Sequence, residues 1–270
     1  MFFTIENLRY AVTVKGSGRP IICLHGFAEN STTWDHIRLD NCQMVLVDLI
    51  GHGLSDKPHS LEPYLLPALL EQLHALIRHL GFDQYSLLGY SMGGRIALAY
   101  ALTYPREVLR LILESSSYGL GDVQRKIQRC QQDVWLAKSI QENGIEWFND
   151  YWSGLELFAS QKNLPRDICE KIKERRLQND PHALANTLLA TGQGIYPCLR
   201  NEVSKLTMPV LYINGEYDEK YQKVGQGFAK LNPGIKREII VGAGHNTHIE
   251  NPQAFCDAVQ SDLNLIIGGI

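Results

Sequence analysis

The chain lacks three things that would each name a function class. It has no excess of one charge: 26 basic and 29 acidic residues leave a formal net charge of −3, so there is no basic footprint for nucleic acid and no single-sign run for a membrane surface. It has no apolar run long enough to span a bilayer, and Met1 to Tyr10 mixes polar and apolar residues without the basic-then-apolar order of a signal peptide. Its six cysteines (Cys23, Cys42, Cys130, Cys169, Cys198, Cys256) are scattered without paired spacing. That fits reduced thiols in a cytoplasm better than a disulfide frame or a zinc site. Repeats and low-complexity segments are also missing. What remains is a small-molecule partner or none, with oligomeric state left open.

What is present is ordinary globular material. Hydrophobic residues make up 44% and charged residues 20% of 270 residues, enough for one deep core, with room for an inserted subdomain. Short β-rich runs alternate with segments of helical periodicity, the signature of a mostly parallel sheet flanked by helices. The pattern predicts strands at 2–6, 10–15, 20–24, 44–48, 84–88, 109–114, 210–214 and 238–241, the first two antiparallel. It predicts helices at 63–80, 92–104, 220–231 and 252–263. Gly16-Ser17-Gly18 reads as a hairpin turn. Between 114 and 210 there is no clear strand, only helical stretches, and the segment is too long for a plain loop. Residues 117–206 are therefore expected to form a helical cap inserted into a core made of 1–116 and 207–270, over the strand ends where open α/β sheets bind ligands.

The strand at 84–88 runs into Gly89-Tyr90-Ser91-Met92-Gly93-Gly94 and then directly into a helix. A bare G-x-S-x-G arises by chance in roughly one chain of this length in ten, but strand before and helix after make it a nucleophile elbow. The bland alternative is a helix-capping serine in a glycine-rich turn. A serine hydroxyl is a weak nucleophile and base at neutral pH, so the fold supplies a histidine to take its proton and a carboxylate to orient that histidine, in the order Ser, acid, His. Asp218 follows the strand at 210–214, and His245 follows the strand at 238–241. Glu216 and Glu219 are rivals for the acid, and His248 for the base. The oxyanion hole is expected to combine the backbone N–H of Met92 with that of Phe27, in His25-Gly26-Phe27-Ala28 after the third strand, with Gly26 allowing close approach. His25 reads as an organiser of that loop by hydrogen bonding, and Gly51-His52-Gly53 as a tight loop at a strand end.

DLIGHGLS (48–55), GYSMGGRIAL (89–98), LESSSYGL (113–120), LFASQ (157–161) and GEYDEK (215–220) together resemble one family, the menaquinone-pathway 2-succinyl-6-hydroxy-2,4-cyclohexadiene-1-carboxylate synthases of the α/β-hydrolase fold. The resemblance covers most of the chain, and LFASQ preceded by Trp152 is its most specific part. It implies an α/β-hydrolase fold with an eight-stranded sheet and a helical cap. It also implies a cofactor-independent lyase that removes a proton next to a succinyl ketone and eliminates pyruvate. The implied substrate carries three carboxylates, which calls for paired donors.

Arg95, one helical turn after Ser91, is placed by spacing to reach the same pocket. Arg129, Arg176, Tyr90 and Trp152 fall on the family's substrate-binding positions. Each arginine also has a bland reading as a solvated helix face or ion pair. The chain departs from the family pattern at Tyr118, where proline is usual, and at Cys130. The residues alone leave a carboxylester or carbon–carbon bond hydrolase open, with a non-catalytic ligand sensor further behind.

Overall fold

A computed structural model describes residues 1–265. Among the described residues eight strands, β1 (Phe2–Ile5), β2 (Leu8–Gly16), β3 (Arg19–Leu24), β4 (Cys42–Val47), β5 (Tyr85–Tyr90), β6 (Val108–Glu114), β7 (Val210–Gly215) and β8 (Ile235–Ile240), form one sheet in the order β1-β2-β4-β3-β5-β6-β7-β8. β1–β2 and β2–β4 are antiparallel and every other neighbouring pair is parallel. β5 is buried along its whole length, as a strand covered on both faces must be.

Helices α1 (Leu66–His79), α2 (Met92–Thr103), α6 (Glu219–Leu231) and α8 (Pro252–Asn264) lie close to the sequence expectation. One large cluster on one face joins Val45, Leu87 and Tyr212 to Leu73 of α1 and Ile96 of α2. A second on the other face joins Leu46, Leu88 and Ile213 to Phe255 of α8. This is the α/β-hydrolase architecture.

The chain leaves β3 toward β4 on one side and returns to β5 on the other. That reversal makes the crevice beyond the carboxyl ends of β3 and β5 the place where such sheets bind ligands. Between β6 and β7 the chain makes α3 (Val123–Ser153), α4 (Arg166–Leu177) and α5 (Pro181–Thr191), with α7 (Thr247–Glu250) short and later in the chain. α3 is two helices joined at Gly144, whose φ of 83° breaks the helical path. An apolar cluster of Leu136, Ile140 and Phe148 of α3 with Leu184 and Leu188 of α5 includes Ala28 of the post-β3 loop, which pins the inserted helices onto the core. Among the described residues no helix is long and apolar enough to cross a membrane.

Two local expectations are corrected. Gly16-Ser17-Gly18 is no hairpin, because β4 lies between β2 and β3 and pairs with both. The glycines are needed for the crossing itself: a Cβ on Gly18 would stand 2.2 Å from the Asn41 carbonyl oxygen at the entry to β4. The last strand begins at Ile235, which is buried, and ends before Val241, which is 69% exposed.

Candidate active site

Ser91 sits between β5 and α2 with φ of 50° and ψ of −104°, a conformation L-residues adopt only where their surroundings over-determine it. Those surroundings are the glycines on either side. A Cβ on Gly89 would come within 2.4 Å of the Gly93 carbonyl oxygen, and one on Gly93 within 2.3 Å of the Leu24 carbonyl oxygen. The Ser91 amide donates to the Glu114 carbonyl at 2.8 Å, and Ser116 Oγ donates to the Ser91 carbonyl at 3.0 Å, so β6 holds the turn from below.

His245 Nε2 lies 3.1 Å from Ser91 Oγ, and its Nδ1 lies 2.6 Å from Asp218 Oδ2. A carboxylate accepts only, so the ring proton belongs on Nδ1 and the Nε2 lone pair faces the serine hydroxyl. Both groups are buried. Asp218 also caps α6 through Oδ1, which accepts from the Tyr221 amide at 3.2 Å. Glu250 takes the amides of Gly244 and Asn246 at 2.8 and 3.1 Å, one on each side of His245. Gly244 leaves room for Ser160 of the LFASQ stretch, whose Oγ would be 2.1 Å from a Cβ there.

The rivals stand elsewhere. His248 is sealed beneath the site, with Nδ1 2.7 Å from Glu114 Oε2 and Nε2 2.7 Å from Thr33 Oγ1. Glu216 accepts from the Gly242 amide in an exposed loop, and Glu219 lies exposed near Lys223.

Ser91 opens into a cavity of about 360 Å³ that also exposes Phe27, Tyr90, Met92, Trp152 and His245. Met92 is the first residue of α2, where amides have no partner within the helix. Gly26 permits the approach of Tyr90, whose ring would be 2.6 Å from a Cβ there. His25 holds the loop from behind, donating from Nδ1 to the Gly26 carbonyl at 2.7 Å and accepting the Leu49 amide at Nε2 at 3.0 Å. Phe27 packs edge-on against Trp152 at 5.3 Å and Phe148 at 5.8 Å. Burial, with Glu29, Glu114 and Glu250 nearby, pushes the Tyr90 phenol well above its usual range, so it stays a donor.

Arg95 and Arg129 both line the cavity. Arg129 is held by Asp133, its Nε 2.7 Å from Oδ1. Arg95 is buried and donates to the Thr191 carbonyl at 2.7 Å. Its guanidinium lies 5.0 Å over the Tyr196 ring, and among the described residues it forms no ion pair. Burial works against its charge and draws its pKa down, with Tyr196, Tyr221 and Asp133 opposing.

Arg176 does not line this cavity, but it lies close enough to Glu29 and Tyr90, which do, for their charges to act on its guanidinium. It donates to Ser153 Oγ at 2.7 Å and to Gln161 Oε1 at 3.3 Å, over the far face of Phe158, and lines a separate pocket. The sequence reading missed Glu29, Gln193, Lys220 and Tyr221, all of which line the main cavity. Only Tyr221 carried a local signal, since three residues past the cap of α6 it returns to the face of Asp218.

The sequence matches the model of the alpha/beta hydrolase fold across residues 19–252. A Bacillus subtilis (strain 168) protein provisionally named 2-succinyl-6-hydroxy-2,4-cyclohexadiene-1-carboxylate synthase is 36% identical over 265 residues, with 97% of each chain covered. The chain belongs to that synthase family. The Serratia proteamaculans (strain 568) synthase of the same name is 30% identical, over 90% of this chain and 92% of the relative. Among solved structures, MenH from S. aureus superposes with a TM-score of 0.88 at 31% identity, covering 95% of this chain and 98% of that one. The family thus supplies a chemistry to set beside the geometry.

Proposed function

We propose that this member of the synthase family is a pyruvate-eliminating lyase of menaquinone biosynthesis. It converts 2-succinyl-5-enolpyruvyl-6-hydroxy-3-cyclohexene-1-carboxylate to 2-succinyl-6-hydroxy-2,4-cyclohexadiene-1-carboxylate. One observation carries the reading beyond family membership: the buried guanidinium of Arg95, without an ion-pair partner among the described residues, shares a cavity with Ser91. A charge withdrawn from water needs an anionic partner to offset the desolvation, and a substrate with three carboxylates provides one.

The chemistry follows from the two names. Asp218 fixes the His245 tautomer, and His245 Nε2 draws the proton from Ser91 Oγ. The serine oxygen removes the proton from C2, the ring carbon beside the succinyl ketone. The ketone oxygen gathers the charge as an enolate, held by the amides of Phe27 and Met92.

As the carbonyl re-forms, the electron pair becomes the C2–C3 double bond, the C3–C4 double bond moves to C4–C5, and the bond from C5 to the enolpyruvyl oxygen breaks. The departing enolate takes a proton and becomes pyruvate. No covalent acyl-enzyme forms, which separates this reaction from ester hydrolysis on the same triad. Residues 117–206 serve as the cap that closes the cavity and brings Arg129 and Trp152 to it, with Tyr90 from the core.

The test is to supply purified protein with the enolpyruvyl substrate and follow pyruvate release, together with the growth of diene absorbance. Folded protein that releases no pyruvate overturns the assignment.

A further inference from the structure

A line of hydrogen bonds runs along the cavity wall from the inserted helices to the triad, and its direction is fixed at one end. An arginine only donates. Arg129 Nε donates to Asp133 Oδ1 at 2.7 Å, and its Nη1 donates to Gln193 Oε1 at 3.1 Å. The second oxygen of Asp133 is occupied by the Gly194 amide at 2.9 Å, which holds the segment carrying Gln193 in place.

Because Gln193 presents its oxygen to Arg129, its amide nitrogen faces the other way. Nε2 donates to the Tyr221 hydroxyl oxygen at 3.1 Å. Tyr221 is therefore an acceptor in that bond, and among the described residues no acceptor takes the phenolic proton. Tyr221 is 2% exposed, yet lines the cavity with Gln193, Arg95 and Arg129. Its ring centroid is 4.6 Å from that of His245.

A buried hydroxyl with its acceptor side filled keeps a donor to satisfy. The cavity is where that donor finds a partner, and a chain of bonds polarised from a guanidinium outward makes it a stronger donor than an isolated phenol. We propose that the Tyr221 hydroxyl, aimed by Gln193 and Arg129, is a substrate-binding donor that receives one carboxylate of the anionic substrate beside the triad, completing with Arg95 a mixed phenol and guanidinium subsite. Gln193 is its positioning residue: it acts on substrate only through Tyr221. Both roles rest on the anionic substrate of the lyase reading.

Tyr221→Phe keeps the ring against His245 and deletes the donor. A hydrogen bond to a charged group corresponds to roughly tenfold or more in binding, so KM for the enolpyruvyl substrate is expected to rise about tenfold while kcat falls by no more than about twofold. Gln193→Ala frees the phenol to turn, and is expected to raise KM by a smaller factor. If Gln193 acts through Tyr221, the double variant matches Tyr221→Phe alone, whereas two independent contacts would multiply.

Succinate binding by titration calorimetry gives a readout separate from turnover: its Kd should weaken about tenfold in Tyr221→Phe. Unchanged KM in a variant of an enzyme that does release pyruvate, or unchanged succinate Kd, overturns the subsite. Multiplying effects overturn the positioning role of Gln193. Absence of pyruvate release by the unmodified protein refutes the lyase reading instead, and the succinate titration then decides the subsite by itself.

Discussion

Glu29 and Arg175 meet at 2.8 Å with side chains only 6% and 9% exposed, and they tie the loop after β3 to the last turn of α4. The contact is an ion pair rather than a directed hydrogen bond, because the Arg175 Nε–H does not point at the carboxylate oxygen. The same helix end reaches the loop a second time, with Asn179 Nδ2 donating to the Ala28 carbonyl at 3.0 Å. Removing one partner of a buried pair strands the other charge, at a cost of about 3–5 kcal/mol. Arg175→Met is accordingly expected to lower stability in urea titrations by that order, and adding Glu29→Gln should restore much of the loss. A single variant within about 1 kcal/mol of the parent would show that the pair does not hold the loop.

Asp218→Asn keeps an acceptor for the Tyr221 amide, so α6 should remain capped and the thermal midpoint nearly unchanged. The amide no longer selects the His245 tautomer, and pyruvate release is expected to fall by roughly 10³–10⁴ in kcat. Retention of a tenth or more of the parental rate would remove Asp218 from the orienting role.

Arg95→Ala separates charge recognition from the shared triad. Loss of a charge-assisted partner predicts a fall of roughly 10- to 100-fold in kcat/KM for the anionic substrate, with a much smaller change in hydrolysis of a neutral nitrophenyl ester. Parallel losses on both substrates would mean that Arg95 supports the fold of the site and does not bind carboxylate.

His25 and His52 lie beneath the loop carrying Phe27, their rings 5.0 Å apart. Burial lowers the pKa of both from the ordinary 6.5, and lowers that of His52 well below it. The unfolded chain therefore binds protons there that the folded chain refuses, and stability present above the ordinary range is lost as pH falls through it toward the lowered folded values. Each histidine adds a slope of up to ~1.4 kcal/mol per pH unit within that window. Urea midpoints measured from about pH 8 to about pH 5.5 should decline on the acid side, and less steeply in His52→Phe. An equal slope in the variant would place the titration elsewhere.

Local features of the chain were legible wherever a short segment dictates its own geometry. The elbow is one, since Gly89 and Gly93 are steric requirements of a turn written within a few residues. The loops of Asp218 and His245 are another, because each follows a recognisable strand. The hairpin reading of Gly16-Ser17-Gly18 failed because nothing local says that β4, more than twenty residues later, enters between β2 and β3. Arg129 and Arg176 came from family resemblance alone, and spacing gave no means of telling them apart.

The sequence by itself determined the alternation of strands and helices, the position and strain of Ser91, and the partners that follow in chain order, because hydrophobic period and backbone sterics act over a few residues. Tertiary structure alone decided which charged groups share the cavity. It left Arg95 without an ion partner among the described residues, set Arg176 over the Phe158 ring, brought Glu29 to Arg175, and joined Arg129 through Gln193 to Tyr221. Those outcomes depend on how α3, α4 and α5 settle on the sheet, where a displacement of a few ångströms makes or breaks a hydrogen bond and where desolvation of each charge depends on everything packed around it.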